Sequence, residues 1–237
     1  MSAETSLNKG NLDIIFKELG KQYRKLVGKN VPAELTIVGG AAVLLSYGFR
    51  EMTNDVDVVI QAGSAMKEAA NVVRDKFGLR NDWLNSDFVH TSSYTEKLAY
   101  YSTPYKKFSN VLSVRVITGE YLIAMKLMAG RVYKNDISDI IGILISEQNK
   151  GNDLSLERIK EAAQNLYGSW ENIPEQSRNF IVSVFSDNNL EELYSIYRNN
   201  EILASHLLDD FEEKYQDVLT QDNVNDVLES LLKAKKQ

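Results

Sequence analysis

Residues 34–60 read ELTIVGGAAVLLSYGFREMTNDVDVVI, and this stretch decides the fold. An apolar run of strand-forming residues, 35–38, meets two glycines and then a small-residue apolar segment, which predicts a strand, a tight turn and a helix. Gly39 and Gly40 therefore stand at a helix start, where missing Cβ atoms allow a sharp turn and close approach. The N–H groups of a helix start favour an anion, so this turn is a candidate anion site.

A second strand follows and carries two aspartates. Asp55 and Asp57 alternate with Val56 and Val58, so both carboxylates project from one side of the strand. Neighbouring carboxylates repel unless a cation lies between them, and Mg²⁺ takes hard oxygen ligands that it commonly shares with substrate phosphates. Alone, the glycine pair fits a plain turn and the aspartates fit solvated edge charge. Their order within one strand–helix–strand unit favours a functional site.

The composition is that of an acidic globular chain without cysteine. Of its 237 residues, 43% are hydrophobic, which is enough to build a core. The formal net charge of −6 provides no global basic field for nucleic acid, so a polyanion must be met locally. The lack of cysteine excludes disulfides and a cysteine nucleophile, and the two histidines, His90 and His206, lack partners at zinc-ligand spacing. The polar, acidic start and the short apolar runs lead us to expect a cytoplasmic protein without a membrane partner.

The remaining periodicity divides the chain into an α/β part and a helical part. Apart from the opening stretch, the pattern predicts helices over 11–26 and 64–77, a strand over 111–117, a helix from Thr118 to Gly130 and another from about residue 135. Glycines 28, 78 and 130 are predicted to end helices. A polar loop around Trp83 is predicted over 80–85. From Gly151 no further strand is indicated, and helices are predicted over 156–167, 176–185, 190–215 and 224–234.

One aromatic and basic run leaves two interpretations open. Residues 98–108 read LAYYSTPYKKF, and their aromatic rings with Lys106 and Lys107 suit base stacking and phosphate contact. The same run also suits a strand with a turn at its proline and solvated lysines. The long helix predicted over 190–215 is amphipathic, so it needs a partner face in this chain or in a second copy.

Charged residues interrupt the apolar helices that follow Thr118. Lys126 lies inside an apolar helical run, Arg131 follows the glycine, and Asp136 and Asp139 share one helix face at a spacing of three. Each has a plainer explanation. A lysine in such a stripe often extends its ammonium to the surface, and an aspartate at a helix start often caps it.

Two stretches resemble a known superfamily. Residues 38–60 resemble the Gly-Gly and Asp-x-Asp signature of the nucleotidyltransferase superfamily with the polymerase-β-like fold. Residues 121–144, YLIAMKLMAGRVYKNDISDIIGIL, resemble the Lys…Arg…Asp-x-x-Asp segment of its bacterial subfamilies related to abortive-infection toxins, and WLN at 83–85 is similar to a feature of the same group. The resemblance covers roughly residues 35–145 and implies an α/β (α+β) fold: a mixed sheet flanked by helices over 1–150, then an α-helical region over 151–237.

The resemblance also implies roles for individual residues. Gly39 and Gly40 would lie under the nucleotide phosphates, and Asp55 and Asp57 would hold Mg²⁺ or Mn²⁺. Lys126 would neutralise the triphosphate, with Arg131 nearby. Asp136 and Asp139 would complete the site as a later acidic motif, and Asp136, or alternatively Asp139, would assist deprotonation of the acceptor hydroxyl.

The sequence departs from the superfamily pattern at two places. Ala41 follows the glycines where many active members have serine or threonine. The strand over 111–117 lacks a carboxylate where the third metal ligand usually lies, and its polar face carries Ser113 and Arg115. That arginine is expected either to bind phosphate or to pair with Asp55 or Asp57 and displace the metal.

The resulting expectation is a Mg²⁺-dependent enzyme that moves a nucleotide from an NTP to a hydroxyl of RNA or protein, as the toxin of a defence or toxin–antitoxin system. An antitoxin or a second copy of the chain is the expected protein partner. The alternative is a non-catalytic relative that binds nucleotide, RNA or a protein partner through its C-terminal helices. The missing third carboxylate and the acidic charge motivate this alternative.

Overall fold

The structure is a computed structural model that describes residues 5–131, 135–220 and 223–235. Its strands are β1 (Ala33–Ile37), β2 (Val56–Gln61), β3 (Leu84–Asn85), β4 (Ser102–Phe108) and β5 (Leu112–Ile117). Its α-helices are α1 (Lys9–Val27), α2 (Gly39–Ser46), α3 (Ala65–Phe77), α4 (Gly119–Ala129), α5 (Asp136–Asn149), α6 (Leu156–Tyr167), α7 (Glu175–Ser186), α8 (Leu190–Lys214) and α9 (Val224–Lys235). Short 3₁₀ helices span Asp87–His90, Glu96–Tyr101 and Trp170–Asn172.

The five strands form one mixed sheet in the order β3-β2-β1-β5-β4. The central strand β1 is antiparallel to β2 and parallel to β5, while β3 runs parallel to β2 and β4 antiparallel to β5. The predicted fold class is therefore confirmed, with helices flanking a mixed sheet and a helical C-terminal region.

Local sequence explains most helix boundaries. Asn8 and Asn11 form a reciprocal capping box at the start of α1, which satisfies backbone N–H groups that have no partner within the helix. Gly28, Gly78 and Gly130 are the C-caps of α1, α3 and α4, as predicted. The four C-terminal helices begin and end within one residue of the predicted bounds.

The predicted polar loop over 80–85 is wrong in two respects. Trp83 is 2% exposed, and its indole N–H donates to the carbonyl of Ala70 at 3.1 Å. The two residues after it form β3, where Leu84 pairs with Val56 and Asn85 with Asp57. A two-residue strand shows no periodicity, and its partner lies far away in sequence, so the local pattern did not reveal it.

The run over 98–108 adopts the plainer of its two predicted structures in its second half. Residues Ser102–Phe108 form β4, preceded by a 3₁₀ helix. The ring of Tyr101 already stacks on Tyr121, with ring centres 3.8 Å apart, and Lys106 pairs with Asp13 of α1. Base stacking by this run stays a prediction.

One hydrophobic core extends from the sheet into the C-terminal helices. Buried residues of α1, of β1 and of α4 belong to the same cluster as buried residues of α6 and α7. Helix α6 packs against α4, and α8 packs against α5, while a separate small cluster joins the end of α8 to α9. The boundary predicted at residue 150 falls just after α5, whereas the last strand, β5, already ends at Ile117. An independent second domain stays a prediction. No helix in the described ranges is long and apolar enough to cross a bilayer.

Candidate nucleotide-binding site

The glycine turn lies between β1 and α2. Gly39 has a φ of +61°, in the left-handed region, and a Cβ there would lie 2.4 Å from Oδ2 of Asp57. Glycine is required on both counts, because an L-residue is strained at this φ and a side chain would displace the carboxylate. The N-cap of α2 is Val38, which offers no side-chain acceptor to the first N–H groups of the helix. The Asp57 carboxylate thus lies directly against the start of α2.

Asp55 and Asp57 line one polar cleft with both glycines. Asp57 lies in β2 and Asp55 immediately precedes it, and both side chains are partly exposed. The side-chain amide of Asn85, on the neighbouring strand β3, donates to Oδ1 of Asp57 at 3.3 Å. The short strand that the sequence did not reveal therefore places an amide beside a predicted metal ligand.

The predicted residues of the second stretch form an alternating chain of ion pairs. The ammonium of Lys126 lies 2.8 Å from Oδ1 of Asp136 and 2.9 Å from Oδ2 of Asp139. Arg131 extends the chain at one end, with its Nε 2.9 Å from Oδ2 of Asp136. Arg50 extends it at the other end, with its NH1 2.8 Å from Oδ2 of Asp139. Three cations thus surround two carboxylates, which leaves a net positive charge.

These pairs decide between the explanations offered for Lys126 and Asp136. Lys126 is only 4% exposed, so its ammonium does not extend into solvent. Asp136 is the first residue of α5, but its two oxygens accept from Lys126 and Arg131, while Asn135 occupies the N-cap position without a side-chain bond. Neither side chain adopts the plainer structural role considered above.

Neighbouring opposite charges shift the pKa values of Asp136 and Lys126 toward their charged forms. Burial raises the pKa of Asp136, but the charges and hydrogen bonds of Lys126 and Arg131 lower it by more, so the net shift is downward. For Lys126, burial lowers the pKa and the charges of Asp136 and Asp139 raise it more, so the net shift is upward. Both groups are therefore held in their charged forms.

Arg50 is a site residue that the sequence reasoning missed. A Cβ on Gly40 would lie 2.9 Å from Cζ of Arg50, so the guanidinium lies over the glycine turn as well as against Asp139. The side chain therefore connects the two predicted halves of the site. A signal was present, because Arg50 is the only cation between Gly39 and Asp57.

The two halves meet in a cleft of about 560 Å³. Its walls include both glycines, Asp55, Asp57, Arg50 and, from the second stretch, Lys126, Arg131 and Asp136. Asp139 contacts the lining residues Arg50 and Lys126 from behind. Ser205 of α8 also lines the cleft. The structure therefore brings all eight predicted site residues together.

The comparison with protein families agrees with this arrangement. Residues 15–187 match the family described as a nucleotidyltransferase of unknown function (DUF6036). The chain belongs to this family. No curated protein and no solved structure matches it. The match extends past the stretch covered by the sequence resemblance, through α6 and α7, and ends before α8.

Arg115, at which this nucleotidyltransferase-family chain departs from the superfamily pattern, contacts the strands beside its own. The Nε of Arg115 donates to the hydroxyl of Ser102 at 2.8 Å and lies 3.9 Å from Oε1 of Glu34. The expectation that it pairs with Asp55 or Asp57 is therefore wrong, since its partners Ser102 and Glu34 are on β4 and β1. Asp55 and Asp57 are not neutralised by this arginine, and phosphate binding by Arg115 stays a prediction.

The donor set of the nucleotidyltransferase cleft fits a metal ion that is shared with substrate. In the described ranges, no group of three or more His, Cys, Asp or Glu side chains is arranged to hold a metal. Mg²⁺ commonly binds through one or two carboxylates and completes its shell with water and substrate phosphates. Asp55 and Asp57 provide such a pair beside a helix start. They fit one ion held jointly with phosphates, and they do not form a complete protein cage.

Proposed function

We propose that this cleft binds a nucleoside triphosphate with Mg²⁺ and transfers its nucleotide to a hydroxyl of RNA or protein. The observation that carries the proposal is that the start of α2, Asp55 with Asp57, and the series of ion pairs meet in one cleft of a protein of the nucleotidyltransferase family. Such transfer needs an attacking hydroxyl aligned with the α-phosphate, a metal ion and a cation near the departing pyrophosphate.

The glycine turn is the proposed cradle for phosphate. Without side chains at Gly39 and Gly40, the nucleotide can approach the backbone closely, and the N–H groups at the start of α2 favour its negative charge. The guanidinium of Arg50 lies over Gly40 and provides planar donors suited to phosphate oxygens. These groups would fix the orientation of the triphosphate.

Lys126 is proposed to contact the departing pyrophosphate. Its ammonium carries three N–H donors, and the contacts with Asp136 and Asp139 account for two of them. Since Lys126 lines the cleft, the third donor is the proposed phosphate contact. Held by two carboxylates, the ammonium is oriented before the nucleotide arrives, which reduces the entropy lost on binding.

Asp55 and Asp57 would hold Mg²⁺, or Mn²⁺ in its place. When bound, the ion would neutralise charge on the phosphate oxygens. In the transfer, a bond forms between the acceptor oxygen and the α-phosphorus, and the bond to the pyrophosphate oxygen breaks. The hydroxyl proton passes to solvent water, which reaches the cleft because Asp55 and Asp57 are partly exposed.

Asp136 is better suited to orienting cations than to accepting that proton. Its two oxygens accept hydrogen bonds from Lys126 and Arg131, and its lowered pKa makes it a weak base. Its role as proton acceptor stays a prediction. We propose instead that Asp136 and Asp139 fix the positions of Lys126, Arg131 and Arg50.

A non-catalytic nucleotide-binding protein is the second candidate. The absence of a third carboxylate beside Asp55 and Asp57, within the part of the chain that is described, favours it. Such a protein would bind nucleotide, RNA or a protein partner without transfer. A role as the toxin of a defence or toxin–antitoxin system, with an antitoxin as partner, rests on the sequence resemblance alone.

Labelled nucleotides distinguish transfer from binding. The purified protein is incubated with each α-labelled NTP, total RNA and total protein, in Mg²⁺ or Mn²⁺. We expect label to enter an RNA or protein fraction with one or more NTPs. The double variant Asp55→Ala/Asp57→Ala should reduce incorporation at least about a hundredfold, because removal of groups that stabilise the transition state costs factors of this size.

Asp75→Ala is the matched control, since Asp75 is exposed on α3 and pairs with its neighbour Arg74. Its incorporation should equal that of the natural sequence. Activity that survives the double change would sink the assignment, and absence of incorporation with any NTP or metal would favour the non-catalytic candidate.

A further inference from the structure

Helix α8 contributes to the cleft although it lies beyond the family match. Tyr194, Tyr197, Glu201 and Ser205 are spaced at three or four residues, so they follow one face of the helix. Tyr194 packs edge-on against Phe49, the residue before Arg50, with ring centres 5.9 Å apart, and Ser205 lines the cleft. This face of α8 therefore reaches both the cleft and the residue preceding Arg50.

Glu201 makes the most specific contact on this face. One carboxylate oxygen, Oε1, accepts from the backbone N–H of Ile137 at 3.0 Å and from that of Ser138 at 3.1 Å. The residue is 4% exposed. Its second oxygen, Oε2, is buried and has no hydrogen-bond partner among the residues that the structure describes.

The two N–H groups belong to the first turn of α5. N–H groups in the first turn have no partner within the helix, and here a side chain from α8 satisfies two of them. Ile137 and Ser138 lie between Asp136 and Asp139, whose carboxylates hold Lys126. A contact that fixes this backbone therefore also fixes the Cα positions from which the side chains of Asp136 and Asp139 extend.

The location of Glu201 is unfavourable for a carboxylate. Burial raises its pKa to about 7, the negative charge of Asp139 adds to the rise, and the hydrogen bonds to α5 oppose it. Four other charged or titratable groups lie around Glu201. Asp139 faces it from α5, and Tyr194 on α8 interacts with Glu201 and Asp139 as well as with Arg198 and Arg50. Since an ionised Glu201 costs folding free energy there, stability alone does not explain a glutamate at this position.

We infer that Glu201 is a positioning residue that acts through the first turn of α5 to hold Asp136 and Asp139, and through them Lys126, at the cleft wall. The inference rests on the proposed function of the cleft, because it assigns Glu201 to the placement of the same cation. It makes the C-terminal helix α8 part of the site.

Three variants of the full-length chain test this role. Glu201→Ala removes the acceptor, Glu201→Gln keeps an oxygen acceptor but cannot ionise, and Glu191→Ala removes an exposed carboxylate from the same helix. Two quantities are measured by NMR and calorimetry: the amide exchange rates of Ile137 and Ser138, and the affinity for each of the four NTPs with Mg²⁺.

In Glu201→Ala we expect both amides to exchange about tenfold faster, since each loses a hydrogen bond to a carboxylate acceptor, and we expect Mg²⁺–NTP affinity to fall about tenfold. Amides in the middle of α5 should change less than about twofold. Glu191→Ala should match the natural sequence in both measurements.

The pH profile separates positioning from general support of the fold. After correction for the intrinsic pH dependence of exchange, protection of the two amides relative to amides in the middle of α5 should increase between pH 6 and pH 8, because the ionised carboxylate is the stronger acceptor. Overall stability should change in the opposite direction, because the raised pKa of Glu201 makes its ionisation unfavourable in the folded chain. In Glu201→Gln the corrected protection should not change with pH. This comparison remains decisive if Glu201→Ala does not fold.

The outcomes separate the inference from the proposed function. If the natural sequence binds no NTP with Mg²⁺, the proposed function fails, and with it the role assigned to Glu201. If the natural sequence binds but Glu201→Ala binds equally well, or if Glu201→Gln shows the same pH profile as the natural sequence, the inference alone is overturned.

Discussion

At the scale of residues, the site depends on one chain of alternating charges. Arg50, Asp139, Lys126, Asp136 and Arg131 follow one another through contacts of 2.8 to 2.9 Å. Burying such groups carries a desolvation cost that can exceed the attraction between them. A gain in stability is therefore a weak explanation for these buried ion pairs. The proposed role of Lys126 in binding phosphate explains them better.

Lys126→Met tests how much the central cation of this series of ion pairs contributes to stability. The change leaves Asp136 and Asp139 buried without their shared cation, so we expect the free energy of unfolding at pH 7 to fall by about 3 to 5 kcal/mol. Urea unfolding followed by circular dichroism measures it.

The exposed lysine Lys107 on β4 provides the control for Lys126→Met. Lys107→Met should change stability by less than about 0.5 kcal/mol. Equal effects of the two substitutions would mean that the buried ion pairs of Lys126 contribute no more to the free energy of unfolding than an exposed lysine does.

The pH dependence of the cluster has a defined sign. The pKa of Asp136 is lowered from 3.8, so its contribution to stability is present at neutral pH and is lost as pH falls through the lowered value. Lys126, with a raised pKa, keeps its charge throughout the neutral range. Asp136 and Lys126 are therefore both charged under ordinary assay conditions.

Sequence reasoning identified most of these residues but could not supply their connection. Lys126, Asp136 and Asp139 lie within 14 residues of one another, and helical spacing predicts that the aspartates share a face. Arg50 is 89 residues from Asp139, and Glu201 is 63 residues from Ser138. Contacts over such separations are set by tertiary packing and leave no local pattern.

At the scale of elements, the turn from β1 into α2 is the most constrained segment. Strand and helix were both predictable, because the change from a strand-forming run to small apolar residues occurs at a glycine pair. The contact of Gly39 with Asp57 was not predictable from the sequence, since it depends on the antiparallel pairing of β1 with β2. The short strand β3 was missed for a related reason, because its pairing with β2 is also long-range.

Gly39→Ala should damage the site more than the fold. The new Cβ would lie 2.4 Å from the Asp57 carboxylate at a φ of +61°, so the carboxylate must move. We expect a fall in stability of about 1 to 2 kcal/mol from the left-handed backbone alone. Mg²⁺–NTP affinity should fall at least about tenfold, because a proposed metal ligand is displaced. Calorimetry and urea unfolding measure the two effects.

Gly48→Ala is the matched control for this substitution. Nothing lies within 4 Å of a Cβ at Gly48, and its φ is outside the left-handed range. Affinity should be unchanged in this variant. Unchanged affinity in Gly39→Ala as well would show that the turn does not position Asp57 for the nucleotide.

At the scale of the whole molecule, the C-terminal helices complete the core and the cleft wall. The long helix α8 was predicted to need a partner face, and α5 of the same chain provides one. Its end packs with α9 through a small separate cluster that includes Ala204, Leu208, Val224 and Leu228. A homodimer through α8 stays a prediction, although this intramolecular partner already covers part of its apolar face.

Calorimetric titration of the full chain with each NTP, with and without Mg²⁺, is the decisive experiment for the proposed metal–nucleotide site. We predict that at least one NTP binds only with Mg²⁺, that Asp57→Asn weakens this binding at least about tenfold through loss of the metal's charge partner, and that the exposed control Asp75→Asn does not. Metal-independent binding, equal binding by Asp57→Asn, or no NTP binding at all would contradict the proposal that this cleft is a metal–nucleotide site.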